Sequence, residues 1–168
     1  MDTKRELVDL LLENAREDTE TMARQLGRSQ AEVEELLDEL EASDAVLGYQ
    51  AVVDWSKVDE DHVTAEVELN LELDRDTTYV QVARRITKFD EVTALHLVSG
   101  DYDFDVTVEA ESMRAVSMFV SEQIAPIPEV TQTVTHFVMK TYKRNGIELT
   151  DRDDDDRRAD ALLWFENH

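Results

Sequence analysis

The chain has 168 residues, 42% hydrophobic and 34% charged, enough apolar material for the core of one large or two small domains. Its formal charge is −23, from 40 acidic residues against 12 Arg and only 5 Lys. Cysteine is absent, which excludes a disulfide framework, a thiolate metal site and a Cys nucleophile.

The acidic residues are spread through every segment. That distribution suits adaptation to a very salty cytoplasm, where screening removes self-repulsion, better than a dedicated basic partner. The apolar runs are only a few residues long and the N-terminus is already amphipathic, so neither a membrane span nor a signal peptide is expected. The reading is a cytoplasmic protein with no membrane partner.

The first fifty residues carry three helical patterns. Leu7, Leu10, Leu11 and Ala15 recur at helical spacing in the first. The second starts after Asp18 or Thr19, turns Met22, Ala23 and Leu26 inward and ends at Gly27. The third opens on Ser29 with Glu32 three residues later, a capping-box signature ahead of Val33, Leu36, Leu37 and Leu40. Two short helices joined through a break containing Gly27 make a helix-turn-helix. Residues 46–53 are extended and partly β-branched, suited to a wing hairpin or a linking strand.

From His62 the period changes to two: Val63, Ala65, Val67, Leu69, Leu71 and Leu73 alternate with polar residues, which predicts a half-buried strand. A helix is predicted over 77–89 with Val80, Ala83 and Ile86 inward. Strands follow over 92–99 and 102–110, joined by the Gly100-Asp101 turn. Ser112 caps a second helix with Met113, Val116, Phe119, Val120 and Ile124 as its stripe; Pro126 and Pro128 end it, and 130–142 is the last strand. The order βαββαβ predicts a ferredoxin-like sandwich, hence an α+β protein with a winged helix-turn-helix in front. The domains are expected at 1–53 and 62–143. Residues 150–168 form an acidic tail, a solvated spacer over 151–156 and then the cluster Leu162, Leu163, Trp164 and Phe165, which is too short for an independent helix and is expected to dock on the body or a neighbouring subunit.

Between Ser29 and Ser56 there is no Lys or Arg, while Glu32, Glu34, Glu35, Asp38, Glu39, Glu41 and Asp44 crowd the stretch. A helix meant to read DNA would ordinarily carry bases to meet phosphate.

Several motifs resemble the Lrp/AsnC family of ligand-responsive regulators: Leu-Leu-Glu-Asn-Ala at 11–15, Ala23-Arg24-Gln25-Leu26-Gly27-Arg28-Ser29, Val46-Leu47-Gly48-Tyr49 with Val52-Val53-Asp54, and Gly100-Asp101-Tyr102-Asp103. The resemblance covers roughly residues 3–143. It implies a transcription regulator that binds DNA, takes a small ligand such as an amino acid between C-terminal domains, and forms homodimers or larger even assemblies. Positions that are basic in family recognition helices are Glu35, Asp38 and Glu39 here, and Asp44 replaces the glycine that ends the helix.

Arg24, Arg28, Ser29 and Gln30 remain as the DNA-contacting set at the helix-turn-helix junction, where a helix N-terminus and polar side chains can meet phosphate or a base edge. The alternative is a ligand-binding or assembly module that has lost direct DNA contact. Gly100, Asp101, Tyr102 and Asp103 are the candidate effector turn, with backbone groups for a ligand carboxylate and an aspartate for its ammonium, although Asp/Gly hairpin turns are common. Thr133 and Thr135 could complete the pocket, or serve only β-propensity. His62, His96, His136 and His168 lack the spacing of a helical metal site, and no cofactor or metal is expected. The related siroheme decarboxylases carry a His-Tyr-x-Arg stretch where this chain has Asp101-Tyr102-Asp103-Phe104, so no enzymatic activity is expected. Stacking of two sheets is expected to cover an apolar row that includes Tyr102 and Phe104.

Overall fold

The computed structural model describes residues 2–149, in two compact units that divide between Ala51 and Val52. The expectations for the tail over 150–168 and for His168 lie outside the described residues.

The first unit is three helices, α1 (Thr3–Glu13), α2 (Thr19–Leu26) and α3 (Gln30–Ala42). Each start is fixed by a side-chain cap that satisfies a free helical N–H: Asp2 accepts from Lys4, Asp18 from Thr21 and Ser29 from Glu32. Gly27 takes the left-handed conformation, φ 64°, that stops α2 and lets the chain turn through Arg28 into Ser29. The helices close on Leu7, Met22, Ala23, Val33 and Leu40. Asp44 also lies at positive φ, 57°, so it fills the stop position that glycine would otherwise take, and Ala45 and Val46 donate back to the Leu40 carbonyl. Ser29 and Glu32 make both halves of the capping box. Ser29→Ala should therefore lower the stability of this unit by about 1 kcal/mol, measured by urea unfolding; no change would deny the cap its role.

The expected wing or linking strand is not formed among the described residues, where 47–54 are extended but pair with no other strand.

The second unit begins with a 3₁₀ turn, Trp55–Lys57, followed by β1 (Val63–Leu71), α4 (Tyr79–Ile86), β2 (Val92–Leu97), β3 (Phe104–Ala110), α5 (Met113–Phe119), a π turn (Val120–Ile124) and β4 (Val130–Phe137). The antiparallel sheet has the order β2-β3-β1-β4, with both helices on one face. Its core runs through Ala65, Val67, Leu69, Phe104, Val106 and Val108 on the sheet, and Val82, Ile86, Val116, Phe119, Val120 and Ile124 above it.

Four details differ from the sequence expectation. On α4 the buried positions are Val82 and Ile86, while Val80 is exposed; on α5 Met113 is exposed. β4 ends at Phe137, which pairs with Ala65, and the Val138 N–H makes one further bond to the Thr64 carbonyl at 2.9 Å. A short hairpin of β5 (Lys143–Arg144) and β6 (Ile147–Glu148) follows, turning at Asn145 and Gly146, both at positive φ. Finally, Phe104 is only 2% exposed, so the helices do shield the apolar row. The uncovered face of the sheet is mixed: by register it carries His96, Asp105, Glu68, Glu66, Thr107, His136 and Gln132 together with Ala94 and Val134.

Candidate functional site

At the α2–α3 junction, Arg24, Arg28, Ser29 and Gln30 are all exposed. Arg24 donates to the Thr21 hydroxyl at 3.0 Å and Arg28 to that of Thr3 at 3.2 Å. Gln30 donates to Thr19 and Glu34 at 3.1 and 2.8 Å, lacing the start of α2 to the start of α3. Arg24, Arg28 and Gln30 are held by weak surface bonds that a phosphate could displace.

The acidic residues of α3 divide into two groups. Glu32 is bound to Ser29, whose backbone N–H and hydroxyl hold its carboxyl below the usual range; Glu34 accepts from Thr19 and Gln30; Glu39 pairs with Lys4 at 2.6 Å; Glu41 accepts from the Tyr49 hydroxyl at 2.8 Å. Glu35 and Asp38 are exposed and make no hydrogen bond or ion pair with any described residue. Much of the acidity that the sequence displays is thus engaged in holding the helices together. Only part of it remains as an outward negative face.

The 100–103 turn links β2 to β3. Gly100 sits at φ 129°, a conformation side chains disfavour. Asn70 donates to the Asp101 carbonyl at 2.8 Å and fixes the turn to the end of β1. Asp103 is a clip: its carboxylate accepts from the Leu71 N–H at 2.7 Å and from the Tyr79 hydroxyl at 3.2 Å, while its own N–H donates to the Leu69 carbonyl at 2.9 Å. Both carboxylate oxygens are occupied. Asp101, by contrast, is exposed with no described partner for its carboxylate. Tyr102 is half-buried; desolvation, then the charges of Asp105, Glu68 and Glu66, raise its phenol above the ordinary range, so it stands beside the uncovered face of the sheet.

Thr133 and Thr135 pair across from Leu69 and Val67 and so share the helix-facing side of the sheet. β1 separates them from β3 and the turn. Within one chain they do not join Gly100–Asp101–Tyr102 in a common pocket. His136 lies 3.2 Å from Glu68 on the uncovered face, and His62 stacks on Trp55 with ring centroids 4.1 Å apart. Among the described residues no group of His, Asp or Glu is arranged to hold a metal ion, and no helix is long and apolar enough to cross a membrane.

The Tyr79–Asp103 clip was not read from the sequence: the partners are 24 positions apart and no local motif joins them. It makes a direct prediction. The hydrogen bond to Asp103, followed by its charge, raises the Tyr79 phenol. Asp103→Asn should lower its titration midpoint, followed by NMR of labelled tyrosine; an unmoved midpoint would show that the clip is not formed in solution.

A helical unit followed by a four-stranded antiparallel sheet with two covering helices defines an α+β protein with a ferredoxin-like second unit. The description of a Lrp/AsnC ligand binding domain matches residues 64–147. The uncharacterized HTH-type transcriptional regulator YugG of Bacillus subtilis is 38% identical over 154 residues, 91% of this chain and 92% of that protein. The leucine-responsive regulatory protein of Escherichia coli is 25% identical over 84% of this chain and 86% of its own length. A transcriptional regulator from Neisseria meningitidis, solved in complex with L-Met, superposes with a TM-score of 0.70 at 21% identity, covering 89% of this chain and 97% of that one. The chain belongs to the Lrp/AsnC family.

Proposed function

We propose that this protein is a transcription regulator that meets DNA with the α2–α3 junction and answers an amino-acid ligand at the 100–103 turn, between second units of a homodimer or larger even assembly. The carrying observation is the exposed cluster of Arg24, Arg28, Ser29 and Gln30 at the start of α3, in a chain whose relatives are named as transcription regulators. A helix N-terminus with two guanidinium groups beside it suits phosphate. For the ligand, the support is Gly100 at positive φ, the Asp101 carboxylate without a described partner and the L-Met complex of the Neisseria protein. Asp101 would take the ammonium group, Tyr102 would line the site, and Asp103 would hold the turn in shape.

One observation favours a second reading, an assembly module without direct DNA contact: Glu35 and Asp38 face outward from a helix that has no basic residue. Binding to genomic fragments over a KCl series reaching molar concentration, with and without an amino-acid panel, separates the two. The regulator reading requires saturable binding that Arg24→Ala with Arg28→Ala weakens. Binding indifferent to both changes would move the DNA to another surface or to a partner protein.

The charge of −23 also carries an expectation for stability. Self-repulsion is screened as the Debye length falls from about 10 Å at 0.1 M to about 3 Å at 1 M salt. The melting temperature should therefore rise steadily with KCl toward molar levels. A flat or falling series would favour a basic partner as the reason for the acidic surface.

A further inference from the structure

The helix layer of the second unit departs from the charge of the rest of the molecule. Residues 79–91 and 111–124 hold four bases, Arg84, Arg85, Lys88 and Arg114, and four acids, Asp90, Glu91, Glu111 and Glu122. This surface is neutral in a chain of net charge −23. Arg85 is paired with Glu129 at 2.7 Å, but Arg84, Lys88 and Arg114 are exposed and make no ion pair with a described residue.

The same layer exposes large apolar side chains: Val80 at 59%, Met113 at 52% and Met118 at 45%. Val80 and Arg84 stand one turn apart on α4, with Lys88 just beyond its end; Arg114 and Met118 stand one turn apart on α5. Phe89, after α4, packs edge-on against Phe119 of α5 at 5.3 Å, so the two helices lie side by side. Arg84, Lys88 and Arg114 thus stand beside exposed apolar groups, with Glu122 one turn beyond Met118. The natural complement of this face is a segment that is acidic and apolar together.

We propose that this face is the docking surface for the chain's own C-terminal segment, with Leu162, Leu163, Trp164 and Phe165 on Val80, Met113 and Met118, and the acidic residues of 151–160 against Arg84, Lys88 and Arg114. The segment 150–168 has seven acidic residues and three basic ones, together with that apolar cluster. Reach is sufficient. From Leu149, which donates to the Tyr142 carbonyl at 3.0 Å, thirteen residues lead to Leu162. Fully extended they span about 45 Å, against a radius of gyration of about 13 Å for a domain of roughly 100 residues.

Other occupants match less well. A second copy of the same face presents only as many acids as bases, against seven acids and three bases in the segment 150–168. The outward face of α3 offers Glu35 and Asp38 but no exposed large apolar group among them. The C-terminal segment supplies both chemistries. Docking there would shield the methionines and pair bases that are otherwise left unpartnered in an acid-rich molecule.

The absence of cysteine makes the test direct. Asn167→Cys in the full chain accepts a single spin label beside the apolar cluster. Methyl-labelled methionine then reports five positions, of which Met113 and Met118 lie on the proposed face and Met22 in the core of the first unit. The expected result is loss of the Met113 and Met118 methyl signals with Met22 retained, and recovery of both in Arg84→Glu with Arg114→Glu. Circular dichroism confirms that these two exposed changes leave the fold intact. Sharp Met113 and Met118 signals in the labelled chain would overturn the proposal and leave the face to another acidic surface. Losses that persist in the charge-reversed chain would overturn the electrostatic match. A loss seen only when spin-labelled chains are mixed with separate methyl-labelled ones would assign the face to a partner's tail and overturn docking within the chain.

Discussion

Phe104→Ala is expected to remove about 3–5 kcal/mol from the stability of the second unit. The side chain is 2% exposed at the start of β3, lies across from Leu69 on β1, and meets the Tyr79 ring edge-on at 5.9 Å. Truncation leaves a cavity under α4 that neighbours cannot fill, because Leu69 and Val106 are held by the sheet on either side. A loss of that size is a large part of the 5–15 kcal/mol typical of a folded domain. Urea unfolding followed by circular dichroism should show it, together with a lower melting temperature. Leu97→Ala supplies the control: that leucine is paired with Phe104 at the sheet edge but is 59% exposed, and should change stability far less. Equal losses at the two sites would mean that the helices do not cover Phe104, and the uncovered-face assignment would fail with it.

The periodicity at 63–71 was legible because alternation with a buried face admits one register only. The caps at Ser29 and Ser112 and the stop at Gly27 were legible because each is a local chemical solution to unsatisfied helix ends. The phase of α4 was not. Val80–Ala83–Ile86 and Val82–Ile86 both satisfy helical spacing, and the choice is made by tertiary contacts: Tyr79 reaches Asp103, which turns Val82 into the core and Val80 out. The ends of strands escaped for the same reason, since a strand is as long as its partner. The extended segment at 46–53 has strand-forming residues but pairs with no described strand. The Asn145-Gly146 turn, in contrast, is a short-range hairpin signal that could have placed β5 and β6.

The candidate site was legible only in part. Arg24, Arg28, Ser29 and Gln30 were read together from one turn, and all four are exposed. Asp101 and Asp103 were read as alternative partners for a ligand ammonium, and Asp103 already accepts from Leu71 and Tyr79. Thr133 and Thr135 were placed beside the turn by their side-chain chemistry, and the sheet order sets a strand between them. Sequence spacing indicates which residues share a face of one element. It does not indicate which elements become neighbours, and that decides a pocket.

The division of acids on α3 leads to the sharpest expectation about DNA. Glu32, Glu34, Glu39 and Glu41 serve the helical unit, so reversing them would confuse binding with folding. Glu35 and Asp38 are exposed and make no described contact, and Glu35→Lys with Asp38→Lys changes charge with little change in packing. If α3 enters the groove, two added phosphate contacts should steepen the slope of log affinity against log salt by about 2. Relative to the parent protein, affinity should then fall by roughly a further tenfold between 50 and 200 mM salt. Non-specific binding at the lower salt should be correspondingly stronger. The parent, with few bases near the groove, should show a shallow slope. Fluorescence anisotropy on one DNA fragment across the salt range decides it, with circular dichroism confirming that the double variant remains helical. An unchanged slope would show that α3 does not face the duplex. The assembly-module reading would then account for its acidity better than DNA recognition does.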